Sequence, residues 1–155
     1  MQRPSRRNKI QLGAVELANF LAEPHVMSVA SNGRDGWPHV VALWYVMRNI
    51  EPWIWTYTKS QKVKNLERNP HATLMVEEGE RYNELRGAMI KAEAEIIRDY
   101  DEILKLGISI YEKYSPELSP ENLESVEKMV AEQSHKRVAV RFKPIRVTSW
   151  DHSKL

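Results

Sequence analysis

Hydrophobic positions along the chain repeat at two periods, and the switches between them lay out the elements. Leu12, Val15, Ala18 and Leu21 recur at helical spacing until Pro24, which predicts a short helix from about Leu12 to Leu21. His25 to Ser31 reads as a strand. Asn32, Gly33, Asp35 and Gly36 then cluster as a turn before the β-rich run Val40 to Met47, so the two runs predict a hairpin. After Pro52, the segment Trp53 to Thr58 alternates aromatics with Ile and Thr at the period of two that a strand requires. Ser60 is a candidate N-cap for a short helix carrying Val63 and Leu66, stopped by Asn69 and Pro70.

His71 to Glu77 predicts a further strand. Ala88, Ile90, Ala92, Ala94 and Ile96 share one face while Lys91, Glu93 and Glu95 share the other, the pattern of a half-buried antiparallel strand. From Asp99 the period lengthens, predicting helices over Asp99 to Tyr114 and Ser119 to His135. Val138, Val140 and Phe142 restore alternation, and Pro144 predicts a bend or bulge before Ile145, Val147 and Trp150. Six strands with inserted helices predict a mainly β, α+β fold, a small antiparallel barrel that is closed or nearly so.

Length allows one domain: residues 11–155, preceded by a basic flexible tail over residues 1–10 that carries Arg3, Arg6, Arg7 and Lys9. A net charge of +2, from 23 basic and 21 acidic side chains, is too balanced for a protein that coats nucleic acid. Absence of cysteine removes disulfides, thiolate nucleophiles and zinc-thiolate sites. No apolar run reaches the length of a signal peptide core or a membrane span, so the cytoplasm is the expected location and no membrane partner is expected.

The densest chemical signal is Thr56 to Lys64, where strand-end hydroxyls run into a helix start bearing three lysines beyond Thr58. Free N–H groups, the positive end of a helix dipole, hydroxyls and ammonium groups make that junction a candidate phosphate site. Lysines in a first helical turn oppose the dipole, so an anion or a carboxylate must account for them. The chain's His25, His39, His71, His135 and His152 lie far apart without metal-binding spacing, so no metal is expected. No nucleophile elbow, P-loop or dinucleotide fingerprint occurs. Trp44, Trp55 and Trp150 flank the candidate site and could wall a planar ring.

Together, the strand Pro38 to Trp44, the strand and turn Trp53 to Lys62, the segment Asn65 to Pro70 and the long strand through Ala94 make this chain resemble the pyridoxamine 5'-phosphate oxidase-like flavin-binding superfamily, which includes deazaflavin-dependent reductases. The resemblance runs from about Leu21 to Trp150 and implies a six-stranded split β-barrel. It places Val40, Val41, Ala42, Leu43 and Trp44 beside the cofactor ring. A tyrosine-threonine pair is matched by Trp55 and Thr56 or by Tyr57 and Thr58. Lys59, Ser60, Gln61 and Lys62 take the phosphate, with Gln61 standing where the family usually has arginine.

The oxidase's own C-terminal substrate signature of arginine, leucine and histidine is missing, so true pyridoxamine phosphate oxidase activity is not expected. The resemblance implies a flavin- or deazaflavin-dependent oxidoreductase using FMN or, alternatively, the deazaflavin coenzyme F-420, with hydride transfer to or from a small organic substrate. The other class it leaves open is a non-catalytic module that holds a cofactor or tetrapyrrole. It further implies a homodimer with cofactor sites at the interface, Arg86 and the segment near Trp150 being the candidates to reach across. Lys62 is expected to be exposed and to contact the phosphate. The two inserted helices are expected to cover the substrate side.

Overall fold

The computed structural model describes residues 5–117 and 119–155; Arg3 of the basic tail lies outside the described residues. Arg6–Ile10 forms a short helix, α1, capped by the Ser5 hydroxyl, and Ala14–Ala22 forms α2. Seven strands follow: β1 (Met27–Asn32), β2 (Pro38–Leu43), β3 (Val46–Arg48), β4 (Glu51–Tyr57), β5 (His71–Glu78), β6 (Arg86–Ile97) and β7 (Arg137–Asp151). Helix α3 (Gln61–Arg68) joins β4 to β5, while α4 (Tyr100–Tyr114) and α5 (Pro120–Ser134) lie between β6 and β7.

All pairings are antiparallel, in the order β2-β1-β5-β6-β7-β4-β3. The expectation of α+β architecture holds, but the strand count is seven rather than six, and the sheet is not closed. The predicted run Val40 to Met47 breaks at Trp44 and Tyr45, because Tyr45 turns inward: its ring is fully buried and its hydroxyl donates to the Leu21 carbonyl at 2.7 Å. β2 and β3 thereby become opposite ends of one sheet, joined covalently by two residues but by no ladder. Tyr114 of α4 fastens this seam. Its hydroxyl donates to the His25 carbonyl at 2.5 Å and accepts from the Tyr45 N–H at 3.3 Å.

Pro144 does not divide the last strand. The register instead shifts from Lys91↔Arg146 to Ala92↔Pro144, so Ile145 bulges out and is 65% exposed. β6 and β7 therefore stay paired from Arg86↔Asp151 to Ile97↔Ala139.

Two apolar cores result. One fills the sheet's interior, with Phe20, Met27, Leu74, Ile90 and Phe142 among its buried members. The other lies where α4 and α5 cover β3, β4 and β7: Ile103, Leu106, Ile110 and Val130 bury against Val46, Trp55 and Ala139. Burying each of these aliphatic chains contributes roughly 1.5–3 kcal/mol, enough to hold the helical pair on the sheet. No described helix is long and apolar enough to cross a membrane.

Candidate functional site

Only three residues separate the end of β4 from the start of α3, so the end of one strand and the first turn of one helix share a corner. Lys62, Val63, Asn65 and Leu66 recur at helical spacing and form the buried face of α3. Lys62 is thus not the exposed lysine that composition predicts. It is 9% exposed, and its Nζ donates to the buried Thr56 Oγ1 at 2.8 Å. Burial, and then the positive charge of Arg137, holds its ammonium below the usual lysine value.

Arg137 enters from the start of β7, across the ladder from Tyr57. Its guanidinium carbon stands 4.2 Å from the Trp55 ring centroid and 4.1 Å from that of Tyr57. One amino group donates to Gln133 Oε1 at 2.8 Å, while Nε is buried without a partner. Ser60 is the N-cap of α3, but its hydroxyl makes no capping bond and is also buried and unpartnered. Among the described residues, neither Lys62 nor Arg137 has a carboxylate within ion-pair distance.

Beside this cationic corner opens a cleft of about 430 Å³. It is lined by Ala42, Leu43 and Trp44 from the end of β2, by Trp55 and Arg137 from the paired strands β4 and β7, and by Val26 and Ile110. Trp44 stacks on Tyr114 with ring centroids 4.8 Å apart and planes within 5°. The inserted helix α4 therefore supplies part of the wall, through Ile110, and braces another part, through Tyr114.

Of the residues expected at the ring, Ala42, Leu43, Trp44 and Trp55 line this cleft. Val40 and Val41 do not: Val40 points outward at 60% exposure and Val41 packs on the core, as strand alternation dictates. Between the two possible matches for the pair at the strand end, it is Thr56 that meets Lys62. The Thr58 N–H donates to the Lys136 carbonyl at 3.0 Å, Tyr57 stacks on Arg137, and Lys59 is exposed. Gln61 turns to Asn65, donating from Nε2 to Oδ1 at 2.9 Å.

Arg86 is engaged within the chain. It donates from Nε to Glu78 Oε1 at 2.7 Å, pairs with Glu23 at 3.4 Å and lies over the Phe20 ring. Trp150 packs against Gly87, where a Cβ would come within 2.5 Å of its ring. Sequence spacing also overlooked a group formed by Glu23, His25 and Glu78, whose ligand-type atoms lie within 4.8 Å of one another; Arg86 pairs with both carboxylates. Arg137, Val26, Ile110 and Tyr114 were missed as site residues. Only Arg137 carries a sequence signal, as a cation directly preceding the apolar run Val138 to Val140.

Residues 15–151 match the family model described as Pyridoxamine 5'-phosphate oxidase. The chain belongs to this family. A solved structure of the conserved hypothetical protein Rv2991 from Mycobacterium tuberculosis is 35% identical to this family member, covering 97% of this chain and 91% of that one with a TM-score of 0.85. An F420 reductase shares the fold at 20% identity, covering 83% and 93% of the two chains with a TM-score of 0.65. The haem storage protein HutZ from Vibrio cholerae shares it at 16% identity, covering 90% and 97% with a TM-score of 0.66. No curated protein matched the chain.

Proposed function

We propose that this family member is a flavin- or deazaflavin-dependent oxidoreductase that transfers a hydride to or from a small organic substrate, with FMN or coenzyme F-420 as its cofactor. The observation that carries the reading is the pair Lys62 and Arg137: a buried ammonium and a half-buried guanidinium whose Nε is buried, neither with a carboxylate partner among the described residues, at the edge of an aromatic cleft. Holding two such charges together costs free energy unless an anion neutralises them. A phosphate does so, and the unpartnered Ser60 Oγ and Arg137 Nε supply donors for its oxygens.

The donor set fits a phosphate-bearing planar ring. Trp44, Ala42 and Trp55 would bound the ring, and β2, an edge strand paired only to β1, offers free peptide groups to a ring edge rich in N–H and carbonyl oxygen. Such a cofactor would supply the hydride chemistry; the chain's own groups bind its phosphate, orient its ring and exclude water. We assign the substrate side to α4 and α5. The exposed apolar residues Val40 and Ile145 on the sheet support a homodimer in which a second copy completes the ring's outer wall.

Mass spectrometry of the small molecule released on denaturing the purified protein tests the cofactor, and anaerobic reduction by a nicotinamide donor followed by reoxidation tests turnover. A flavin or deazaflavin phosphate that cycles supports the proposal. A haem or other tetrapyrrole, or a chromophore inert to both steps, overturns it in favour of a binding module.

A further inference from the structure

A second cleft, of about 450 Å³, lies between the β1–β2 hairpin and the start of α3. It includes Arg34, Trp37, His39, Gln61 and Asn65. Both clefts use β2: the first at Ala42 and Leu43, the second at Pro38 and His39, so they follow one another along the strand, about 10 Å apart at the rise of an extended chain. The first turn of α3 lines the second cleft and is bonded to β4 beside the first. Gln61 belongs to the second cleft, and the next residue, Lys62, bonds to Thr56 of β4, which lies between Trp55 and Tyr57, the two rings that Arg137 of the first cleft covers.

We infer that the cofactor continues beyond its phosphate and seats the added group in this second cleft. The inference rests on the phosphate assignment of the preceding section. A cofactor ending in a phosphomonoester, as FMN does, would stop at the start of α3 and leave the second cleft to solvent. The contents of that cleft are those of a ligand site.

Trp37 is 76% exposed, an indole held at a hairpin tip by the bond from its backbone N–H to Asp35 Oδ1 at 3.1 Å. Arg34 is exposed and has no carboxylate partner among the described residues. His39 Nδ1 is buried without a partner. On the α3 side, Gln61 donates to Asn65, and Asn65 donates to Ser31 Oγ at 3.1 Å, which fixes both amides. An aromatic face, an uncommitted guanidinium and an unsatisfied imidazole nitrogen suit a polar group joined on through the phosphate. Two cofactors carry one: FAD, through its adenylate, and F-420, through its carboxylate-bearing tail.

The test titrates the full-length apoprotein with FMN and FAD, and with F-420 and the same deazaflavin truncated at its phosphate. In wild type, the extended member of at least one pair should bind tenfold or more tightly than its phosphate-terminated core. Trp37→Ala and Arg34→Ala should bring the two within about twofold, with the affinity for the core unchanged. Preference within the FAD pair alone identifies an adenylate, and within the F-420 pair alone an acidic tail. Equal binding of core and extended forms by wild type overturns the inference and leaves the phosphate assignment standing. So does a Trp37→Ala protein that changes its oligomeric state but keeps the preference. Binding of none of the four removes the phosphate assignment itself, and the inference with it.

Discussion

Lys62 Nζ donates to Thr56 Oγ1 at 2.8 Å inside the corner where β4 passes into α3, so the cation proposed for the phosphate rests on a neutral hydroxyl. A hydrogen bond to a charged group contributes roughly 1.5–3 kcal/mol, so Lys62→Ala should weaken binding of a phosphate-bearing cofactor about tenfold to a hundredfold. Lys62→Met separates charge from packing, because it keeps the buried stem. Burial and Arg137 hold the folded-state value of Lys62 below the unfolded one, so its protonated form opposes folding at neutral pH and the penalty fades as pH rises towards the ordinary lysine value. Apo Lys62→Met should therefore melt no lower than wild type at pH 7, and its advantage should shrink towards pH 10. A lower melting point at pH 7 that persists at pH 10 would show that the bond to Thr56 outweighs the charge.

Arg137 covers two aromatic rings beside the proposed phosphate site, and a lysine in its place keeps the charge while losing the planar stack. Arg137→Lys should retain part of the cofactor affinity, whereas Arg137→Ala should lose tenfold or more. Tryptophan fluorescence should shift in both variants, since Trp55 loses the guanidinium over its ring. Affinity unchanged in Arg137→Ala would place the phosphate elsewhere.

Local features of this fold were legible because local patterns encode them. The alternation from Ala88 to Ile96 announced β6, the helical spacing from Ile103 to Tyr114 announced α4, and Pro144 announced the bulge at Ile145. The seam at Trp44 and Tyr45 was not legible, since a continuous β-rich run gives no sign that one residue turns inward to bond Leu21. The site divides in the same way. Thr56 and Lys62 lie six residues apart and were found together, though the burial of Lys62 depends on which face α3 presents. Arg137 reaches the same corner from the far end of the chain, through the pairing of β4 with β7, which no local pattern reveals.

Gly107 sets the distance between α4 and Trp55. A Cβ there would stand 2.6 Å from Trp55 Cζ3 and 2.7 Å from Val130 Cγ1, both too close to keep. The gain of about 1 kcal/mol in helix propensity from Gly107→Ala is thus opposed by an overpacking cost of roughly 1–3 kcal/mol. We expect a net loss of stability with weaker cofactor binding, because Trp55 must shift towards the cleft. Adding Val130→Ala removes one of the two clashes and should recover part of the affinity; denaturant titration and cofactor titration of the single and double variants check both.

Lys113 places an ammonium 3.9 Å from the Tyr45 ring centroid and 5.3 Å from that of Tyr114, and its Nζ is buried without a hydrogen-bond partner. Burial lowers its pKa from 10.5 to about 8. Because the folded value lies below the unfolded one, the folded protein binds fewer protons between those limits, and stability must rise as pH climbs through that window. Below about pH 8 both states are protonated and the full penalty is present, at most about 3 kcal/mol, with the attraction of the two rings setting a limit on it. Lys113→Met should therefore raise stability at pH 7 by about 1–3 kcal/mol and remove that part of the pH dependence, so that variant and wild type converge near pH 10.5. Urea unfolding at pH 7, 8.5 and 10 measures this directly. A Lys113→Met protein less stable than wild type at pH 7 would mean that the ammonium is held charged by the rings and helps to close the seam that Tyr114 fastens.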